Sequence, residues 1–242
     1  MSENRDESIV AGRNSVNEAL KSDREIECLL VANGTGGAVN SIIAKAKQRG
    51  VPVRFIPKQK LDARVSNVNH QGVALVMCAA RYSTLEEIVS DNESSLVVIL
   101  DKVEDPHNLG AIIRTADAAG TDGVIIPKRG GAGLNTTVAK VACGACEHVK
   151  VARVANIASA CDELKERGYW IYGADMDGSD MFSTEMKGKV GLVIGSEGFG
   201  ISRIVREKCD FVVSIPMNGK INSLNASVAA GILMYKAVAD NK

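Results

Sequence analysis

Leu96-Val-Val-Ile-Leu100-Asp-Lys-Val-Glu-Asp-Pro-His-Asn108-Leu-Gly-Ala-Ile-Ile-Arg114 joins an unbroken apolar run to a segment of helical spacing. The run does not alternate with polar residues, which is how a strand covered on both faces reads. Beyond it, Ile112, Ile113 and Ala116 can share one helix face, with Asn108 placed as an N-cap and Arg114 on another face. A surface pair of Arg114 with Asp117 is the plain structural reading of that arginine. The pattern then repeats: Gly123 to Ile126, His148 to Val151, Tyr169 to Tyr172, Val190 to Ile194 and Phe211 to Ile215 complete six candidate strands. Helical patterns such as Asn135 to Ala145 and Asn156 to Arg167 lie between them. Such alternation predicts an α/β fold with a parallel, helix-covered sheet, and spacing alone points to a Rossmann-like strand order.

Upstream lies a smaller α/β unit. Ile26 to Val31 and Val73 to Cys78 read as strands, and Ser15 to Leu20 and Val39 to Arg49 as helices, the second stopped by Gly50. Residues 81–92 are polar and weakly periodic, so the expected division is 1–80, a linker over 81–92, and 93–242.

The 242 residues carry 29 Lys and Arg against 29 Asp and Glu, a balance unlike that of a protein coating nucleic acid by bulk charge. Charge is nevertheless clustered. Lys45, Lys47, Arg49, Arg54, Lys58, Lys60 and Arg64 meet only Asp62 between them, either a solvated face or a phosphate-neutralising one. No apolar run approaches the ~18 residues of a membrane span, and the charged Met1 to Ser8 lacks a secretory core, so the cytoplasm is the expected compartment. Six scattered cysteines read as buried free thiols. Cys143-x-x-Cys146 falls in a helical pattern without a second pair, and no metal site is expected.

Two further stretches bear on chemistry. Gly195-Ser-Glu197-Gly-Phe-Gly200 follows an apolar strand, but its glycines do not match GxGxxG and the chain holds no P-loop Gly-Lys-Ser. Its backbone can still approach a ligand closely at a strand's carboxyl end. Glu197 then either caps a helix beginning near Ile201 or orients catalytic polar groups. Ser223-Leu224-Asn225-Ala opens the last helix, with Ser223 as an N-cap and Leu224, Val228, Ile232, Tyr235 and Val238 as the core-facing stripe.

Together, in this order, the three stretches resemble the signature motifs of the SpoU/TrmH family of S-adenosylmethionine-dependent RNA ribose 2'-O-methyltransferases. The resemblance implies the SPOUT architecture, an α/β-knot with a deep trefoil knot, and catalytic or substrate-orienting roles for Asn108, Arg114, Glu197, Ser223 and Asn225. It implies that backbone around Gly195, Ile215 and Leu224 holds S-adenosylmethionine. Because a guanidinium essentially never deprotonates, Arg114 is read as holding the target phosphate and favouring the developing alkoxide. Gly12-Arg13-Asn14-Ser-Val-Asn-Glu-Ala-Leu20 and Asn69-His70-Gln-Gly-Val-Ala74 look like the ends of the L30e-like RNA substrate-binding domain of many SpoU proteins. The RNA contacts it implies are Arg13, Asn14, Lys45, Arg54, Lys58 and His70. Ser15 departs from the Pro of many relatives there. Gly133 to His148 looks like members that methylate a guanosine of 23S rRNA, as naked RNA or in an assembly intermediate. Enzymes acting on tRNA guanosine or, in antibiotic resistance, on a 23S adenosine are alternatives, as is a non-catalytic L30e-type RNA-binding protein. Family members are homodimers through the C-terminal domain, and Gly231 is compatible with such close approach.

Overall fold

The computed structural model describes residues 9–22, 24–65, 68–220 and 223–242. The charged N-terminal octet, on which the secretory reading rested, lies outside them. The chain forms two compact units, Met1–Arg81 with Leu134–Thr136, and Tyr82–Gly133 with Thr137–Lys242.

The first unit runs β1 (Ile9–Ala11), α1 (Arg13–Ala19), β2 (Ile26–Ala32), α2 (Ala38–Gln48), β3 (Val53–Ile56), α3 (Lys58–Arg64), β4 (Val73–Met77). Its sheet is ordered β1-β4-β2-β3, with β4 antiparallel to both neighbours and β2 parallel to β3. The central strands β2 and β4 are buried at every position, and apolar at all but Glu27, because both faces are covered. Leu29, Val31, Val73 and Leu75 pack with Val16, Val39 and Ile42, while Leu30, Ala74 and Val76 pack with Leu61 and Val65 on the opposite face. Gly50 stops α2 as predicted: its φ is 73°, and the Val51 amide closes back onto the Ala46 carbonyl at 2.8 Å. The edge strand β3 and the short α3 escape periodicity, since Arg54 and Phe55 of β3 face solvent.

The second unit runs α4 (Leu85–Ile88), β5 (Ser95–Leu100), α5 (Pro106–Ala119), β6 (Gly123–Pro127), α6 (Thr136–Ala142), β7 (Val151–Val154), α7 (Ile157–Glu166), β8 (Trp170–Asp180), β9 (Lys189–Ile194), α8 (Arg203–Arg206), β10 (Phe211–Ser214), α9 (Ala226–Asp240). Six parallel strands stand in the order β10-β8-β9-β5-β6-β7. This departs from the Rossmann-like expectation, because β9 and not β8 neighbours β5. The strand expected at His148 begins instead at Val151, since a 3-10 turn over Ala145–Glu147 occupies the approach to it. The predicted helix to Ala145 breaks early, where Cys143 takes a φ of 51° and Gly144 one of 92°.

Several local expectations change. Residues 81–92 carry α4, closed by a Thr84–Glu87 capping box, and its Leu85 and Ile88 are buried in the core against Val97, Ile125 and Ala152. Helix α5 is capped by Asp105, whose carboxylate accepts from the His107 amide at 2.9 Å with Pro106 next, so Asn108 sits inside the first turn. Ile112, Ile113 and Ala116 are buried as predicted. Helix α9 is capped by Asn225, not Ser223, and buries Ala226, Ala230, Leu233, Met234 and Ala237. Val228 and Tyr235 of the expected core stripe are 49% and 51% exposed. The helix is apolar nearly all round, so spacing could not choose its buried face. Gly231 lies near Thr115 of α5 in the same chain, where an added Cβ would make ordinary contact at 3.5 Å. The C-terminal end of α9 is tied to the segment before β9. Lys236 pairs with Asp240, which accepts from the Met186 amide at 2.8 Å, and Asn241 receives the Gly188 amide at 2.8 Å.

All six cysteines are free thiols, with Cys28 and Cys161 buried and Cys143 exposed. Burial pushes Cys161 up to about 12 and Cys209 up to about 11, which leaves both inert at neutral pH.

Candidate active site

A cavity of about 680 Å³ opens at the carboxyl ends of the adjacent strands β10, β8 and β9. Parallel α/β sheets place their ligands at such ends. Three features of the sequence shape it. Pairing between β8 and β10 jumps from Gly173 opposite Val212 to Ser179 opposite Val213, so the residues between loop out and bring Ala174, Asp175 and Met176 to the wall. Gly178 permits this, because a Cβ there would stand 2.6 Å from the Val213 backbone. After β9 the loop Ser196–Gly200 is closed by two backbone bonds, Ser196 N–H to the Gly200 carbonyl at 3.0 Å and the reverse at 2.9 Å. A Cβ on Gly195 would meet the Gly200 carbonyl carbon at 2.1 Å, so only glycine lets the loop fold back on its own strand. Buried Ile194, Val213 and Leu233 form apolar parts of the lining.

Polar groups from three distant segments meet in one hydrogen-bonded chain. Asn108, only 5% exposed on α5, donates from Nδ2 to Glu197 Oε1 and accepts at Oδ1 from Asn225 Nδ2 at 2.9 Å. Asn225 Oδ1 in turn receives the Ser227 amide at 2.9 Å and the Ser227 hydroxyl at 2.6 Å, which fixes its amide orientation at the start of α9. Glu197 does not cap a helix. Helix α8 begins at Arg203, and the amide of its capping residue, Ser202, is held by buried Asp101 at 2.7 Å.

Among the predicted residues, Asn108, Glu197 and Asn225 are thus brought together, and Gly195, Glu197, Ile215, Ser223 and Leu224 line the cavity. Arg114 is not drawn in. Six residues along α5 carry it about 9 Å from Asn108 and to another face. There it makes no ion pair with Asp117 among the described residues, and its Nη1 donates to Cys143 Sγ at 3.4 Å.

Sequence reasoning missed the pair of Asp175 and Arg206, joined at 2.6 Å, with Asp177 on the second guanidinium nitrogen at 2.8 Å. Nothing in local periodicity marks a bulge, so no signal was available. It also passed over Phe199, Met176 and Met217, which line the same cavity. Phe199 between two glycines was visible in the chain.

In the first unit, Arg13 and Asn14 stand at the carboxyl end of β1 and Lys58 follows the carboxyl end of β3. The Arg13 backbone N–H and Nε donate to the Gln71 side chain and carbonyl at 3.1 and 3.4 Å. Lys45 donates to Asn17 at 3.0 Å, and Arg54 lies 4.0 Å from buried Glu27. His70 is 7% exposed; Nε2 lies 2.7 Å from Asp62 and Nδ1 accepts from the Gly72 amide at 2.9 Å, so both ring nitrogens are engaged. It braces the loop before β4.

Residues 95–235 match the model of the SpoU rRNA Methylase family, and residues 9–83 that of RNA 2'-O ribose methyltransferase substrate binding. A putative TrmH family tRNA/rRNA methyltransferase, YacO, of Bacillus subtilis is 48% identical over 94% of this chain and 93% of its own. A Staphylococcus haemolyticus protein with the same family description is 46% identical over 94% of each chain. The AdoMet-bound rRNA methyltransferase of Sinorhizobium meliloti superposes with a TM-score of 0.62 at 27% identity, covering 95% of this chain and 85% of that one. The SpoU methyltransferase AviRb of Streptomyces viridochromogenes shares the fold, with a TM-score of 0.61 at 24% identity over 96% and 89% of the two chains. A match of this extent, over the stretch that carries the cavity and the Glu197–Asn108–Asn225 chain, settles descent: the protein belongs to the SpoU rRNA Methylase family.

Proposed function

We propose that this protein methylates a ribose 2'-hydroxyl in RNA, and that its target is a guanosine of 23S rRNA, free or in an assembly intermediate. The observation that carries the reading is the Glu197–Asn108–Asn225 chain: three polar side chains from remote segments, meeting beside a ligand-sized cavity.

S-adenosylmethionine is the methyl donor. The residues present fit it: the cavity lies within the ~300–1,000 Å³ of small-molecule sites, with apolar walls for a flat ring, and Gly195, Ile215 and Leu224 line it, where their backbone would read polar edges. When bound, it supplies a methyl group on a positively charged sulfur. Asn108, clamped on both sides, holds Glu197 toward the reacting face, and Asn225 and Ser223 present polar groups at the start of α9. Alignment of the ribose oxygen is the main task, since well-oriented groups contribute more than ~7 kcal/mol to such transfers.

Arg114 is assigned to the target phosphate and the developing alkoxide, with proton removal left to another group or water because guanidinium keeps its proton. Its distance from Asn108 within one chain supports a homodimer in which Arg114 of one protomer faces the polar chain of the other. The exposed Val228 and Tyr235 on α9 offer an apolar surface for that contact. We further propose a deep trefoil knot, in which the C-terminal segment threads a loop, and a division of labour in which residues 1–80 select RNA and the second unit, which includes α4 of the 81–92 stretch, holds the donor. Arg13, Asn14, Lys45, Arg54 and Lys58 supply phosphate contacts, and His70 shapes the loop beside Arg13 and Gln71. Among the described residues no helix is long and apolar enough to cross a membrane, and an rRNA target implies the cytoplasm.

Mapping 2'-O-methyl marks in RNA from cells with and without this chain tests the reading. Loss of a single guanosine mark in 23S rRNA is expected. Loss confined to tRNA or to an adenosine would replace the target, and no change at all would remove the activity.

A further inference from the structure

We propose that Phe199 is a stacking platform for an unpaired RNA base beside the methylated ribose, with Met176 and Met217 completing an apolar lip. This rests on the RNA-methylation reading above and adds a specificity surface to it.

Phe199 is 96% exposed, the most exposed large apolar side chain among the described residues. Met176 at 69% and Met217 at 38% join it on the lining of one cavity, although they come from the β8 excursion, the loop after β9 and the segment after β10. Three exposed apolar groups converging from separate segments are unlike scattered surface residues. The backbone that presents the ring is also held in place. Its loop is closed by the two Ser196–Gly200 backbone bonds and anchored where the Ser202 amide meets Asp101, and Gly198 and Gly200 flank it without side chains to cover either face. Glu197, two residues away, is already engaged by Asn108.

The occupant follows from depth. Ile194, Val213 and Leu233 are the buried apolar surface suited to a small ligand's ring, whereas Phe199 has nearly its whole surface in water. A ligand that covers it must arrive from outside. RNA loops present splayed bases to aromatic side chains in this way, and methionine adapts to aromatic faces of varied shape.

The test uses the full chain and Phe199→Ala, Phe199→Leu and Phe199→Tyr. A single-stranded RNA decanucleotide carrying 2-aminopurine reports stacking by fluorescence quenching; calorimetry reports S-adenosylmethionine affinity; methyl incorporation into 23S rRNA transcript gives KM for RNA. The Ala and Leu variants are expected to lose the quench and to raise KM for RNA roughly ten-fold, more than they lower kcat, while Tyr restores both. Wild-type quenching in the Ala variant overturns the proposal. So does a fall in S-adenosylmethionine affinity as large as the RNA effect, which would assign the ring to the cofactor, or a changed sedimentation coefficient with RNA binding intact, which would assign it to a partner protomer. A wild type that quenches the oligonucleotide but methylates no RNA removes the proposed function and leaves the stacking surface standing.

Discussion

Asn108→Asp keeps the shape of the residue at the centre of the site and reverses what it offers Glu197. The amide that donates to Glu197 becomes a carboxylate facing a carboxylate, while the oxygen that accepts from Asn225 is retained. With both charged at ~3 Å, repulsion at an effective dielectric of about 20 is ~5 kcal/mol. Binding one proton between them at pH 7 costs less, about 4 kcal/mol from an ordinary carboxylate pKa near 4.3. Glu197 has a third course, because its loop is exposed and the side chain can swing into water. The cost to folding is then limited to the lost charge-assisted bond, about 1.5–3 kcal/mol, or a fall in Tm of about 3–12 °C for a chain of this size. Catalysis suffers more, since the Glu197 position is lost; a deficit of ~3 kcal/mol corresponds to roughly a hundred-fold in kcat. The sign with pH is fixed. The paired carboxyls share a proton with an apparent pKa raised above its unfolded value, so the variant regains stability and turnover as pH falls and loses them as pH rises through that value. Methyl transfer measured from pH 5 to 8, beside calorimetric unfolding, checks this. A variant with wild-type kcat, or a deficit that does not shrink toward pH 5, would refute the account of the chain.

Three further outcomes follow from the same structure. Gly195→Ala forces its methyl group within 2.1 Å of the Gly200 backbone, so calorimetry should show S-adenosylmethionine affinity down by at least ten-fold; unchanged affinity would mean the loop does not shape the cavity. Mixing Arg114→Ala chains with Asn225→Ala chains should recover activity that neither has alone, and no recovery would place both groups in one protomer. Burial pushes the Asp240 carboxyl up, but the hydrogen bonds from Lys236 and the Met186 amide outweigh it and hold the group below its ordinary value. Its contribution is therefore present above the usual carboxylate pKa and lost as pH falls through the lowered one, so Lys236→Met should flatten the acid limb of the stability profile; an unchanged limb would count against the clamp.

Covered strands were readable because burial on both faces leaves an unbroken apolar run, as at Leu96 to Leu100 and Val190 to Ile194. Edge elements were not: Arg54 and Phe55 of β3 face solvent, and their identity depends on which neighbour they pair with. Helix α9 shows the same limit from the other side. Its composition announces a helix but is apolar nearly all round, so the buried face was chosen by α5 and the sheet, and of the predicted stripe Val228 and Tyr235 proved exposed while Leu224, Ile232 and Val238 are half-buried. Asn108 and Ser223 were equally ambiguous, since asparagine and serine cap helices as readily as they serve a site; Asp105 and Asn225 hold the caps.

The order of residues in this chain determined an α/β protein, the family it belongs to and the candidates for its chemistry, because glycines, asparagines and apolar runs at fixed spacing constrain local backbone wherever they occur. Only the tertiary structure decided that β9 lies beside β5, that Asn108, Glu197 and Asn225 bond to one another while Arg114 faces away, and that Phe199 stands at the lip of the cavity. Those relations join segments tens of residues apart, and packing, not local propensity, selects them.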